Sequence, residues 1–524
     1  MADALPFAGG RRLAIGRKMT QESQIGAMAP IDTYFSKNIS TLWLCGGTLA
    51  ISLLFGGNTM TFSSADAIAE AICLPALVAS VIRLQAARSG RAPLALKMAL
   101  LIAGFALVLL MAQLIPLPPS IWMHFPGRQS VVEALRLAEV SPFWLGISLS
   151  PLSTRQSLFS LIPALAVFLA TVQTNWSERR LLVAFLICFA LVSELLGLLQ
   201  LAQGTGSAAR FYNQDASMAG FFANTNHLGV LLYSSALIAG TWGLSLMFEI
   251  MKERAQGDPL HKDRVLQAGL LLVAVILLLF GAAFTRSRAA MSLAIVAGGL
   301  AFALTWPYAG KRKSFGPVLV FGLAIAAGLS IGANFALDDL IRRVQIGVAD
   351  SSRADIAQQT WVVIKDYFPI GSGFGTFIPA YASHETAATA VVAAVNRAHN
   401  DFLEWLVEGS AAAGAIAALG VLWVIWMNLS AMRRERDPSF ADASIRRAAA
   451  AVLGLVLVHS TVDYPLRTIA IMAMCAFCAG LCIDPFRARK MSEDGSLRTP
   501  THGNGRRSFQ HRLVSIFPKL TGSG

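Results

Sequence analysis

The stretch LLVAFLICFALVSELLGLLQLA, residues 181–202, holds one charged side chain, Glu194, in twenty-two positions. About 20 mainly apolar residues in a helix span the hydrocarbon core of a bilayer, so this run predicts a membrane helix. Working outward, eleven further runs of the same kind appear at 40–57, 66–82, 97–115, 156–173, 222–246, 266–284, 289–306, 316–334, 403–428, 448–462 and 468–485. The run at 66–82 carries Glu70, and the one at 448–462 is short. Composition agrees: the 524 residues are 55% hydrophobic and 14% charged, with a mean hydropathy of +0.58. A soluble domain has roughly 45–50% and 25% respectively, so a disordered chain is excluded and an ordinary soluble enzyme disfavoured. The expected fold class is an all-α polytopic membrane protein with about twelve transmembrane helices and one long outer loop between the ninth and tenth.

Orientation follows from lysine and arginine, which accumulate in cytoplasmic loops. With the N-terminus inside, the cytoplasmic segments hold 31 of the 43 basic residues and the outer segments the other 12. Arg83, Arg88, Arg91 and Lys97 form one inner group, and Lys311, Arg312 and Lys313 another. The net charge of +13 therefore serves mainly topology, not nucleic acid. Both termini are expected in the cytoplasm. The leading segment 1–39 carries Arg11, Arg12, Arg17 and Lys18 with no apolar core behind them, so the first span, not a cleavable signal peptide, is expected to direct insertion. Residues 40–485 then form the transmembrane domain, 335–402 an outer loop subdomain within it, and 486–524 a basic cytoplasmic tail. That tail reads as a solvated charge run, with contact to anionic lipid as the alternative.

The cysteines fall inside the predicted spans, so no outer disulfide is expected. Cys475 and Cys478 spell CxxC, but in a lipid-like run they read as small packing residues. Asp338 and Asp339 read as a helix cap or solvated turn, and no metal or cofactor is expected. The chain lacks GxxxxGK[ST] and HExxH patterns, which leaves an ATP-driven pump and a zinc protease unsupported. A second long outer segment, 116–155, has Trp122, Phe125, Phe143 and Trp144 among prolines and reads as interfacial.

Ionisable groups at membrane boundaries are costly and mark candidate sites. Four clusters stand out, all at outer ends of spans. ARFYNQDASMAGFFANTNHLG, residues 209–229, offers Arg210, Asn213, Gln214, Asn224, Asn226 and His227, with helix capping as the plain reading of Asn224 and Asn226. TRSRAA, residues 285–290, places Arg286 and Arg288 in a tight connection where the positive-inside rule would avoid them. Arg286 reads as snorkelling to headgroups, and Arg288 as an anion ligand, since arginine binds phosphate bidentately and stays charged. In SSRADIAQQTWVVIKDYFPIGSGFGTF, residues 351–377, the spacing predicts an amphipathic helix ended by Pro369 and a glycine-rich turn. Arg353 at its N-terminal end opposes the helix dipole, which asks for a partner: Asp355 or Asp366 in the plain reading, an anionic ligand in the other. RAHNDFLEWLVEGSAAAG, residues 397–414, puts Asn400, Glu404 and Glu408 on one helical face, with His399 just ahead. Those carboxylates need cations, with Arg288 or Arg353 as the expected partners. HSTVDYPLR, residues 459–467, adds His459 and Asp463 at another outer helix end.

Taken in order, NTNHLG, TRSRAA, the Arg353…Trp361…PIGSGFGTF segment, HNDFLEWLVEGSAAAG and HSTVDYPL resemble the O-antigen ligase-like family, which includes Wzy-type polysaccharide polymerases and bacterial protein oligosaccharyltransferases. PLPPSIWMHFPG near Pro116 and SLSPLSTRQS near Ser148 share the likeness, which covers 110–470. The resemblance implies a bacterial inner-membrane location, a periplasmic loop at 335–402, and an undecaprenyl-pyrophosphate-linked glycan donor. It also implies pyrophosphate binding by Arg288 and Arg353, with Arg210 as a third cation, and a functional histidine at His399. Asn400, Glu404, Glu408, Asn226 and His227 follow as supporting residues.

These residue types suit glycosyl transfer. A pyrophosphate leaving group needs fixed cations more than a general acid, and an imidazole suits deprotonation of an acceptor hydroxyl. Glu404 is expected to orient His399, and inversion at the anomeric carbon follows from in-line attack. The acceptor is a glycan or lipid A core, with a polymerase slightly favoured over a ligase. The alternative from another class is a polysaccharide transporter or lipid-linked glycan flippase. It predicts charges at mid-bilayer, whereas here they crowd the outer ends.

Overall fold

Every regular element among the described residues is helical, and one bridge, between Leu117 and Leu145, is the only β-type contact. The computed structural model describes residues 40–59, 63–86, 92–212, 217–308, 316, 318–323, 325–326, 348–385, 395–433 and 439–485. The two terminal segments, most of the run at 316–334, Asn213, Gln214 and the Asp338–Asp339 pair lie outside these residues.

The helices of the bundle are α1 (Thr41–Phe55), α2 (Ser64–Ala86), α3 (Leu94–Gln113), α6 and α7 (Pro151–Phe159 and Leu161–Val172), α8 (Trp176–Gln203), α9 (Thr225–Gln256), α10 (Lys262–Phe284), α11 (Arg288–Thr305), α14 (Asp401–Arg433), α15 (Phe440–His459) and α16 (Ile469–Cys482). Outside them lie α4 (Pro119–Trp122), α5 (Gln129–Leu137), α12 (Val348–Tyr367) and α13 (Phe377–Ala382). Eight helical segments are long and apolar enough to cross a membrane, with α6 and α7 counting together. The protein is thus a polytopic membrane protein. Of the twelve expected runs, the first and last form shorter apolar helices of 15 and 14 residues. The run at 448–462 lies in a 20-residue helix whose first half carries Asp442, Arg446 and Arg447.

α9 is the axis of the bundle. Each side chain from His227 to Leu246 is buried, as expected of a helix without a polar stripe. α10, α11 and α15 pack around it. Gly229 makes the closest approach possible: a Cβ there would stand 2.4 Å from the Ala290 Cβ. Small residues let membrane helices meet at backbone distance, and this contact holds the start of α11 against the start of α9.

The charges of α15 answer a different need. Arg446 donates to the Cys482 carbonyl at 2.8 Å, and Arg179 to the Ile483 carbonyl at 2.8 Å. Both guanidinium carbons lie about 5 Å from the Trp176 ring. The carbonyls at the end of α16 lack intrahelical donors, and these two arginines supply them at the end of the bundle away from His459.

At the other end, α12 and α13 dock on the first turns of α14 through a separate core that includes Val363, Tyr367, Phe377, Tyr381 and Val407. As the spacing predicts, α12 stops ahead of Pro369. The turn that follows is clamped from both sides. Gln113 donates to the Glu408 carbonyl and accepts from the Phe374 N–H, each at 2.9 Å, while the Thr154 hydroxyl donates to the Phe374 carbonyl at 2.7 Å. In the 116–155 segment Phe143 and Trp144 are exposed, but Trp122 is not: its indole N–H donates to the Phe143 carbonyl at 2.9 Å within a buried setting.

Candidate active site at the head of α14

α14 begins where several buried polar groups must be satisfied at once. Asn400 caps it, accepting from the Phe402 and Leu403 N–H groups at 2.9 and 3.1 Å and donating to the Thr461 carbonyl at 2.8 Å. Such a cap satisfies donors that the helix itself cannot. Just before it, His399 has φ +50°, a conformation that costs a residue with a side chain and recurs at functional sites. This turn aims the imidazole at the loop between α15 and α16. Nδ1 of His399 lies 3.4 Å from Oδ1 of Asp463, and its ring meets the Tyr464 ring edge-on at 5.3 Å.

Asp463 is the centre of this cluster. Its second carboxylate oxygen lies 4.0 Å from Nε2 of His459, whose Nδ1 is 3.3 Å from the Tyr233 hydroxyl. Burial alone would raise the Asp463 carboxyl, but the hydrogen bond from His399 and the nearby imidazoles hold it at about 2. It is therefore a carboxylate at neutral pH. Tyr464 gathers the rest: His227 packs edge-on against it at 5.1 Å, the Arg397 guanidinium lies 5.7 Å from its ring centre, and its hydroxyl accepts from Asn224 at 3.2 Å. Burial pushes the Tyr464 phenol up to about 12, which keeps it neutral.

Below the histidine lies a carboxylate ladder, and here two sequence expectations are corrected. Glu404 and Glu408 share a face, but their cations are Arg397 and Arg467, not Arg288 or Arg353. Arg397 bonds Glu404 at 2.8 Å, and Arg467 bonds Glu408 at 2.6 Å while lying 3.5 Å from Glu404 and 3.8 Å from Asp401. Burial would lower the Arg467 guanidinium, but the three carboxylates outweigh it and hold it above its ordinary value. Glu404 does not orient His399 either; it accepts from Arg397 and from the Ala398 N–H, leaving the histidine to Asp463. Proximity in sequence favoured Glu404, but its two carboxylate oxygens are taken by the Arg397 guanidinium and the Ala398 N–H.

The remaining expected residues occupy distinct places. Arg353, exposed on α12, donates to the Val462 carbonyl at 3.1 Å, so it stands beside Asp463 and is paired with neither Asp355 nor Asp366 there. Arg288 opens α11 at an exposed position, one residue after the Ser287 cap. Arg210 donates to the carbonyls of Gln200, Gly204 and Ser217 at 3.2–3.3 Å, which makes it a clamp on its own loop. Asn226 follows the Asn224 cap, whose side chain accepts from its N–H at 2.8 Å. His227 is fully buried, two residues before Gly229 in α9.

Arg288, Arg353, His399, Asn400, Glu404 and Glu408 all fall within one continuous segment. That segment, residues 273–409, matches the O-antigen ligase family model. The chain carries an O-antigen ligase domain. No curated protein matches the chain. A domain of this kind implies membrane glycan transfer of the ligase or polymerase type on lipid-linked glycans.

The partners of the O-antigen ligase domain come largely from outside its matched residues. Asp463, Tyr464 and Arg467 lie beyond it, and Asn224 and His227 lie before it. Asp463 was visible in HSTVDYPLR only as an acid near a helix end. The one sequence signal for Arg467 is that HNDFLEWLVE contains more acids than its own segment neutralises.

Proposed function

We propose that this protein is a glycosyltransferase of the bacterial inner membrane, moving a glycan from an undecaprenyl-pyrophosphate donor to a sugar acceptor at the periplasmic face. The pathway is O-antigen or exopolysaccharide assembly, and both termini are cytoplasmic. The observation that carries this reading is the pairing of His399, inside the segment that matches the O-antigen ligase family, with ionised Asp463 beyond it, at the head of α14.

The chemistry follows from the groups present. Asp463 holds the proton of His399 on Nδ1, which leaves Nε2 as the basic nitrogen. Nε2 takes the proton of the acceptor hydroxyl as its oxygen attacks the anomeric carbon from the face opposite the leaving group, so the configuration inverts. The glycosidic oxygen departs with the pyrophosphate, which carries the charge. Arg288 and Arg353 meet that charge, contributing in the transition state what bulk water would otherwise have to reorganise to supply. Arg397 and Arg467, bound to Glu404 and Glu408, hold the α14 turn in place. The Arg210 clamp keeps the loop before α9 closed over Gln200.

Deletion of the gene followed by gel analysis of the glycans tests the reading and separates the acceptors. Lipid A core without long chains identifies a ligase, single repeats identify an O-antigen polymerase, and loss of secreted polymer alone identifies an exopolysaccharide polymerase. Unchanged glycans overturn the reading.

A further inference from the structure

One carboxylate oxygen of Asp463 meets His399, and the other faces a second imidazole that the transfer reaction above leaves unused. Oδ2 of Asp463 has no hydrogen-bond partner among the described residues, and neither has Nε2 of His459, which stands 4.0 Å from it. Both side chains are fully buried, and buried polar atoms keep partners. The turn that joins them is fixed by the backbone: the Asp463 N–H donates to the His459 carbonyl at 3.0 Å, so the two side chains project to the same side. On its far side the His459 ring stacks on Tyr233 of α9, with Nδ1 3.3 Å from the phenol oxygen. Tyr233 is fully buried as well.

The hydrogens along this line have one consistent arrangement. An ionised carboxylate only accepts, and Asp463 is ionised at neutral pH. His459 therefore presents Nε2–H to it, because the opposite tautomer would set two lone pairs against each other in a buried place. In a neutral imidazole, the form that burial favours, the other nitrogen is then bare. Nδ1 accepts from the Tyr233 hydroxyl, which is the donor at that distance. A carboxylate shared between two N–H donors is fixed at both ends and pulls less on either proton. Without the second donor its charge gathers on Oδ1, holds the protonated form of His399 harder and leaves the carboxylate free to turn. Among the described residues, Asp463 and His399 also face His227 from α9, Arg353 from α12, Arg397 ahead of α14, and Tyr464.

We propose that His459 and Tyr233 are positioning residues for glycan transfer: the Tyr233 hydroxyl sets the tautomer of His459, whose Nε2–H holds the second oxygen of Asp463 and thereby the orientation and basicity of His399. The assignment rests on the transferase reading above, and it extends the pair of His399 and Asp463 to a line of four groups running from α9 to the head of α14. Both residues are fully buried and act only through Asp463.

The test uses the full chain in nanodiscs, with an undecaprenyl-pyrophosphate-linked glycan as donor and, as acceptors, a second molecule of it or lipid A core. It reads kcat, KM and the pH profile. Tyr233→Phe should lower kcat roughly 3- to 10-fold, the worth of one hydrogen bond, and leave KM for donor and acceptor unchanged. The acid limb of its kcat profile should move up by about half to one pH unit. His459→Leu should do the same or more. His459→Gln, which keeps an N–H donor toward Asp463, should restore most of both effects. In an Asp463→Asn background, Tyr233→Phe should bring no further loss. Tyr233→Phe removes one oxygen from a packed ring, so it keeps the test decisive if His459→Leu does not fold. An acid limb that stays in place, a glutamine variant no better than leucine, or a full added loss in the Asp463→Asn background overturns the proposal and leaves the two residues as packing. If the wild-type chain transfers glycan and any of these results is found, this assignment fails and the transferase reading stands. If the wild-type chain transfers no glycan to either acceptor, the transferase reading fails and the assignment with it.

Discussion

Oδ1 of Asp463 lies 3.4 Å from Nδ1 of His399, a contact that joins the loop after α15 to the turn before α14 across 64 residues. It fixes the tautomer of the histidine and keeps a negative charge beside it. Asp463→Asn should preserve the shape and lose this charge. Glycan transfer should fall with it by about 10²- to 10⁴-fold, the usual contribution of a general base. His399→Ala should lose as much, and the double variant no more than either alone. Transfer from a lipid-linked donor in isolated membranes measures this, and normal product from His399→Ala rules out the base assignment.

Stability should depend on acid through the same pair. The Asp463 carboxyl is held at about 2 in the folded protein, below the roughly 3.9 of an unfolded chain. A group depressed in this way stabilises fully above its unfolded value, and that stabilisation disappears as pH falls through 4 toward 2. About 2 kcal/mol is at stake. Melting temperature between pH 7 and pH 3 should fall for the wild type, with a shallower acid limb in Asp463→Asn. Parallel curves would show that the pair does not couple to folding.

Arg467 serves three buried carboxylates, and removing it leaves Asp401 and Glu408 without a cation while Glu404 keeps Arg397. Arg467→Leu should destabilise by about 3–5 kcal/mol, the cost of an orphaned buried charge. Adding Glu408→Gln should recover part of the loss by removing one of those charges. Thermal unfolding in detergent, read by size exclusion, checks both variants; a stable Arg467→Leu would place the carboxylates in water.

Arg288 and Arg353 should act on the donor, and Arg210 on its loop. Loss of either of the first two removes charged hydrogen bonds worth about 1.5–3 kcal/mol, or roughly 10- to 100-fold in donor KM. Arg210→Ala should instead lower thermal stability and leave donor KM near the wild-type value. Steady-state kinetics against donor concentration separates the two effects. An Arg210→Ala variant with a raised KM would restore it as a pyrophosphate ligand.

Gly229→Leu should force α9 and α11 apart, since a Cβ alone would already stand 2.4 Å from Ala290. Overpacking of this kind costs about 1–3 kcal/mol. Because α11 begins with Arg288, donor KM should rise together with the drop in melting temperature. A change in stability without a change in KM would separate the contact from the site.

Apolar runs such as 181–202 identified the membrane helices directly, because a bilayer demands about 20 apolar residues in a row whatever the neighbours are. One local signal also resolved well, since Pro369 and its glycines ended α12, whereas Asn400, expected on the helical face of Glu404 and Glu408, is the cap of α14. His399, Arg288 and Arg353 stood out because a charged or polar group beside an apolar run has few structural reasons to be there. What the sequence did not contain was who meets whom. Glu404 lies five residues from His399 but binds Arg397, while Asp463 lies 64 residues away and takes the histidine. Nor did it show that Arg467 would carry Glu408. Insertion into a bilayer is a property of each segment alone and is readable segment by segment. Pairing of buried charges depends on which helix ends the fold brings together, and only the packing of α14, α15 and α16 around α9 decides that.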